Sequence, residues 1–395
     1  MLYKIKRITL CLIIIGTSLG YAQNRSIEFD HSDWKALLEK ANKENKLVFV
    51  DCFTTWCGPC KWMAKNVFTN DTVADFFNKN FINAKIDMEK GEGKDIAKQY
   101  AVQAYPTFIF VNGDGELVHR LCGSSPAKQF IESAKNALDP EKKLVSYAKK
   151  FNGGNTTGQV AYDYFTMLAA GCQSTDEPLN LYFTKQKESD YTSRIHWNII
   201  NHFIGKYDAP MFVYLESNKA AYAKLYTLDS VEMKLNAVYN QGIFEASRKG
   251  DIPAYEKMKE KVRASGTKDA EKIIARTEVS FYEKQKDWKN FASATSNYVE
   301  KYAMNEANAL NNAAWSFYQN VDDITQLEKA ARWSKLSCEK DDSYSNNDTY
   351  AALLYKLKKK DDATKAANKA IELAKKDGDD YSATETLLKK IKELK

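Results

Sequence analysis

The chain has 395 residues, 44% of them hydrophobic, with 58 Lys and Arg against 52 Asp and Glu. That length exceeds one ordinary domain of roughly 100–200 residues, so two or more are expected, each with material for a core. The charge excess is small and mixed in sign along the chain. Three of the basic residues (Lys4, Lys6, Arg7) stand in the first seven positions, and the mixed charges elsewhere read as solvated helix faces, which argues against nucleic-acid binding.

Residues 1–22 read as a cleavable signal peptide. The basic start MLYKIKR leads into the apolar run ITLCLIIIGTSLG and then Gly20-Tyr21-Ala22, where small residues suit cleavage after Ala22. The apolar run is shorter than the roughly 20 residues a bilayer span needs, so an uncleaved anchor is the lesser alternative. Bulky Leu10 before Cys11 fits a lipoprotein signal poorly. Cleavage would place the mature protein in the periplasm or otherwise outside the cytoplasm, where disulfides persist. Cys52, Cys57, Cys60, Cys122, Cys172 and Cys338 would remain.

Residues 25–140 alternate strand-like and helical stretches, which predicts an α/β layer architecture. KLVFVDCF (46–53), FINAKIDM (81–88) and PTFIFVN (106–112) are rich in β-branched and aromatic residues, and Asn112-Gly113-Asp114-Gly115 predicts a hairpin turn before ELVHRL. Helical patterns fall at Lys61–Phe68, Val73–Asn78, Lys94–Tyr100 and Ala127–Leu138. In the last of these, Ala127, Phe130, Ile131, Ala134 and Leu138 recur at helical spacing before Asp139-Pro140.

From about 145 to 395 the composition is helical, and after Pro253 there are only two glycines, Gly266 and Gly378, and no proline. ALNNAAWSFYQNVDDITQLEKAARWSKLSCEKDD (309–342) is similar to YAALLYKLKKKDDATKAANKAIELAKKDGDD (350–380). Each has an aromatic first helix, an Asp-Asp turn and an alanine-rich second helix, and 279–302 reads as a third copy. The region from about 230 loosely resembles tetratricopeptide repeats, in which neighbouring helix pairs bury each other's apolar faces, although the repeat family's Trp-Leu-Gly-Tyr pattern is not reproduced. Residues 150–250 read as helical without a period.

The chemistry concentrates in TTWCGPCKW (54–62). A dithiol exchanger needs one thiol ionised near neutral pH and a second within reach. Cys57 and Cys60 meet that need if Cys57 sits at a helix N-terminus, where the helix dipole and free N–H groups favour a thiolate. Pro59 suits a first helical turn, and Gly58 imposes no side chain beside the sulfur. A zinc site would need further Cys or His ligands in a second cluster, and none is spaced for it; His31, His119, His196 and His202 read as ordinary polar residues. Asp51 stands inside an apolar strand, where a carboxylate is costly unless used. Cys52 and Cys122 read as small buried hydrophobes, and a Cys172–Cys338 pair stays open.

Residues 46–140 resemble the thioredoxin family. Its WCGPCK signature stands unbroken at 56–61, with Asp51 at the place of the family's buried acid. Tyr105-Pro106-Thr107 is at the place of its cis-proline segment, and Gly123 at that of its groove-lining glycine. The resemblance implies a thioredoxin fold followed by the all-α domain. It also implies a mechanism without cofactor or metal: Cys57 attacks a substrate disulfide, Cys60 resolves the mixed disulfide, and Asp51 relays the proton. Trp56, Gly58, Pro59, Tyr105, Pro106 and Gly123 would bind substrate. The Gly-Pro pair implies a reductase of protein disulfides rather than an oxidase or isomerase, fed by an upstream thiol donor such as a membrane relay. Where the family often carries a lysine, four residues before Asp87, this chain has Asn83, with Lys85 on the same face; GEGK (91–94) lengthens the following loop. The rival reading is a scaffold in which the helical domain, presenting a surface to a protein partner, dominates and the thioredoxin domain is a docking platform.

Overall fold

A computed structural model of the chain describes residues 25–154 and 157–394. The signal-peptide reading therefore lies outside the described residues. The chain divides into two compact units at Gln186/Lys187, beyond the 140–145 boundary read from the sequence.

The first unit begins with α1 (Trp34–Glu44), which the periodicity did not single out. Asp33 caps it by accepting from the Ala36 N–H at 2.8 Å, and Leu37 and Ala41 face inward. Then come β1 (Leu47–Phe53), α2 (Gly58–Asn66), α3 (Asp71–Asn80), β2 (Phe81–Asp87), α4 (Gly93–Gln99), β3 (Thr107–Val111), β4 (Leu117–Cys122) and α5 (Ala127–Leu138). The sheet runs β2-β1-β3-β4, with β1 and β2 parallel and the other neighbours antiparallel. The turn at 112–115 closes as expected: the Asn112 side chain accepts from the Asp114 and Glu116 N–H groups, and Gly115 takes φ 80°. In α5 the buried positions are Phe130, Ile131, Ala134 and Ala137, whereas Leu138 is exposed.

Strand alternation splits this core into two layers. Val48, Val50 and Cys52 of β1, with Ile109 and Val111 of β3, pack against Leu37, Ala41 and Ile96. On the other face Phe49, Phe108 and Phe110 meet Met63, Phe77, Phe81 and Phe130. Phe49 is at the centre of that layer, with ring centroids 4.6 Å from Phe77, 5.4 Å from Phe110 and 5.9 Å from Phe108.

Three further helices, α6 (Leu144–Asn152), α7 (Gly158–Ala170) and α8 (Asp176–Thr184), belong to the same unit. Both α6 and α7 pack on edge strand β4. The Leu144 N–H donates to Nδ1 of buried His119, and the buried Arg120 guanidinium donates to Gly171 O at 2.7 Å, Tyr100 O at 2.6 Å and Ala101 O at 3.1 Å.

The second unit is helical throughout its described residues, as the composition implied. Its helices are α9 (Arg194–Phe203), α10 (Pro210–Ser217), α11 (Lys219–Tyr226), α12 (Leu228–Lys249), α13 (Ile252–Ala264), α14 (Ala270–Gln285), α15 (Trp288–Tyr298), α16 (Ala307–Asn320), α17 (Ile324–Lys340), α18 (Tyr344–Lys356), α19 (Lys360–Asp377) and α20 (Ser382–Lys392). The two similar segments map onto the α16–α17 and α18–α19 hairpins. Their Asp-Asp turns have a physical reason: Asp323 caps α17 by accepting from the Gln326 N–H, and Asp361 and Asp362 stand in the first turn of α19. Ala330, Ala363, Ala367, Ala370 and Ala374 are buried where helices approach closely, and α16 touches α18 as well as α17.

Phe49→Ala should lower the unfolding free energy of the first unit by roughly 3–5 kcal/mol, read from urea midpoints. A loss under about 1 kcal/mol would show that the phenylalanine layer closes around the gap.

Candidate active site

β1 ends at Phe53, and residues 54–57 turn the chain into α2. Cys57 is the N-cap of that helix: its backbone is extended, and its Sγ accepts from the Cys60 N–H at 3.0 Å. Pro59 sits in the first turn, where an N–H would have no partner in the helix. Cys57 and Cys60 are joined by a disulfide, with Cα atoms 5.3 Å apart, and both are buried. A Cβ at Gly58 would meet nothing within 4 Å, so the approach to the pair is open there.

Asp51 is two residues before the end of β1 and 1% exposed. Alternation puts its side chain on the phenylalanine face, and neither carboxylate oxygen receives a hydrogen bond from the described residues. Lys85, its register partner on β2, brings Nζ to 3.4 Å from Oδ2 as an ion pair. The same ammonium lies 5.0 Å from the Phe53 ring centroid and 5.7 Å from those of Phe29 and Phe68. Burial raises the Asp51 carboxyl to about 6, against the lowering pull of Lys85. Asn83, at the position where the lysine was sought, is buried and donates instead to Asn78 Oδ1 at 3.1 Å.

The remaining predicted residues make contacts among themselves and with Glu89. Trp56 is 65% exposed; its indole N–H donates to the Glu89 carboxylate at 3.0 Å and its ring stands edge-on to Tyr105 at 5.9 Å. The Tyr105–Pro106 peptide is cis. Pro106 O accepts from the Gly123 N–H at 2.9 Å, and Gly123 holds φ 85° with open space where a Cβ would stand. Glu89 was missed by sequence reasoning, and no spacing rule would have found it.

The cysteine readings need one correction. Cys122 is not a lone buried hydrophobe, and Cys172 does not pair with Cys338. Cys122 and Cys172 form a second disulfide, Cα atoms 5.7 Å apart, and Cys338 is free. Their separation of 50 residues carries no local signal. Cys52 is the buried free thiol expected. It lies on the sheet face opposite Asp51, and burial pushes its thiol well above the ordinary range. Among the described residues no group of three or more His, Cys, Asp or Glu is gathered to hold a metal ion.

The family described as Thioredoxin matches residues 26–136. Thioredoxin H4 of Arabidopsis thaliana is 38% identical over 92 residues, which are 23% of this chain and 72% of that protein. The chloroplastic thioredoxin Y of Oryza sativa subsp. japonica is 37% identical over 111 residues, 28% of this chain; the chain spans only 61% of that relative's length. Among solved structures, a candidate disulphide-isomerase from Bacteroides thetaiotaomicron is 48% identical, covering 30% of this chain and 98% of that one, with a TM-score of 0.28. With the signature at a helix N-terminus, the buried acid in β1 and the cis-proline just before β3, the chain belongs to the thioredoxin family.

Proposed function

We propose that the protein is an exported thiol–disulfide oxidoreductase that reduces disulfides in other proteins through the Cys57/Cys60 pair. The observation that carries this reading is the place of Cys57 at the N-cap of α2, its sulfur already accepting a backbone N–H. In the reduced protein a Cys57 thiolate there meets the positive end of the helix dipole. It attacks one sulfur of a substrate disulfide and expels the other as a thiolate. Cys60 then gives its proton toward the Asp51 carboxylate and attacks Cys57 Sγ. The second substrate sulfur leaves, and the Cys57–Cys60 disulfide is formed. Two electrons pass from the dithiol to the substrate.

The substrate chain lies against Trp56, Gly58, Pro59, Tyr105, Pro106 and Gly123. The open space at Gly58 and Gly123 supports that placement, as does the exposed Trp56 ring braced by Tyr105 and Glu89. The Gly-Pro pair supports the reducing direction, which requires an upstream thiol donor. The signal-like residues 1–22 and a second disulfide, Cys122–Cys172, support export to an oxidising compartment. The stacked hairpins of the second unit serve a protein partner, since helical arrays present long surfaces.

The deciding experiment is trapping with Cys60→Ser in the native compartment. A discrete set of partners, released by reductant and lost in Cys57→Ser, is the expected result. If Cys57 traps nothing while residues 141–395 still capture partners, the protein is a scaffold.

The raised Asp51 carboxyl has a measurable sign. The unfolded chain loses this proton near the ordinary value of 3.8, the folded chain only near 6. Stability from Asp51 is therefore fully present below about pH 4 and is lost as pH rises through 6. Asp51→Asn should flatten the fall in unfolding free energy between pH 4 and 7 by on the order of 2–3 kcal/mol. It should also slow release of trapped substrate by Cys60 at pH 7. Parallel pH curves for the two proteins would remove the acid from the mechanism.

A further inference from the structure

The Cys122–Cys172 disulfide joins two places that matter differently. Cys122 ends β4 opposite Thr107, and the next residue, Gly123, holds Pro106 O at the edge of the proposed groove. Cys172 follows the C-terminus of α7 at a left-handed φ of 52°. Cys172 is exposed and Cys122 half-buried, so an incoming thiolate reaches the Cys172 sulfur first. Exposed disulfides are the labile class, whereas structural ones resist exchange.

We infer that Cys122–Cys172 is a second exchangeable disulfide, opened by a Cys-x-x-Cys dithiol, whose reduction frees the Gly171–Gln173 turn beside the substrate groove. The surroundings polarise the bond in one direction. Cys172 lies past the negative end of α7, which disfavours a thiolate there. Arg120 adds no preference, since it shares the strand of Cys122 while its guanidinium is bound at Gly171 O, beside Cys172. Attack on Cys172 therefore expels Cys122 as the better leaving group.

The joint also survives without the bond. Arg120 donates to Gly171 O at 2.7 Å, one residue from Cys172, while holding Tyr100 O and Ala101 O. A covalent staple there duplicates an anchor already present. Opening it loosens the turn and leaves α7 docked on the sheet.

The step balances as follows. The donor thiolate bonds to Cys172 Sγ, and Cys122 leaves as a thiolate that takes a proton from water. The donor's second thiol attacks the donor sulfur, releasing Cys172 as a thiol. Two electrons move to the pair, and the donor ends as a disulfide. A second, reduced copy of this chain is the donor used in the test, so that arm rests on the proposed reductase activity.

The recipient is the full chain carrying Cys57→Ser and Cys60→Ser, with dithiothreitol as electron reservoir and a catalytic amount of wild-type protein. New thiols are counted by alkylation and mass. The expected result is opening of Cys122–Cys172 in the folded protein roughly tenfold or more faster than with dithiothreitol alone. Hydrogen exchange should rise around Gly171–Gln173 and stay unchanged in β3. Opening only under denaturing urea, or at the same rate with and without wild-type protein, overturns the inference. Insulin run in parallel separates the two readings: if wild-type protein reduces insulin but not this bond, the inference fails and the activity stands. If it reduces neither, both fail.

Discussion

An ionisable pair held among phenylalanine rings sets the terms for the whole site. At 3.4 Å the Asp51–Lys85 attraction is roughly 5 kcal/mol at an effective dielectric of about 20. Desolvating the two ions costs several kcal/mol each. The terms are of similar size, and the upward position of the Asp51 carboxyl shows that desolvation wins on the acid's side. Lys85 stays partly hydrated, with 26% of its side chain exposed, and rests among the Phe29, Phe53 and Phe68 rings. The result is a carboxyl whose protonation changes near neutral pH in a place that water barely reaches. A stability-driven sequence would put an apolar residue at position 51, as it does at Phe49 on the same face; the acid is what the proposed proton relay would need.

A second buried ion makes the first unit longer than the matched residues. Arg120 is buried with no carboxylate beside it among its hydrogen-bond partners; they are the carbonyls of Tyr100, Ala101 and Gly171. Tyr100 and Ala101 follow the end of α4, and Gly171 caps the end of α7. Helix C-termini carry partial negative charge, so two of them substitute for a counter-ion. Hydrogen bonds from a charged donor contribute about 1.5–3 kcal/mol each. One of those bonds, to Gly171 O, ties the end of α7 to the sheet, beside the Cys122–Cys172 disulfide and the packing of α6 and α7 on β4.

What the sequence showed and hid follows from range. The four strands, the 112–115 turn and α5 were legible because period-2 and period-3.6 patterns and turn residues are local signals. So was the Cys57 cap, since Trp-Cys-Gly-Pro-Cys-Lys encodes strand end, turn and helix start within six residues. Asp51 was legible as an acid in an apolar strand, yet its partner was not fixed, because Asn83 and Lys85 share a face and only register decides between them. Helix α1 was overlooked because its apolar face is narrow, with Leu37 and Ala41 its only buried residues. Arg120 carried no signal that the sequence reading used. Its burial, and the Cys122–Cys172 pairing, depend on α7 folding back onto β4 from fifty residues away, and no local pattern encodes that.

The two disulfides sit at opposite ends of helices, and that difference sorts their chemistry. Cys57 is at the start of α2, where unpaired N–H groups and the positive dipole end stabilise a sulfur anion; Cys172 is past the end of α7, where exposed carbonyls disfavour one. In the exchange proposed above, the first thiol is therefore the attacking sulfur and the second is the sulfur attacked. Burial differs in the same sense, since Cys57 and Cys60 are buried whereas Cys172 is exposed. Helix polarity thus separates the two pairs: Cys57 stands where a thiolate is favoured and Cys172 where it is not.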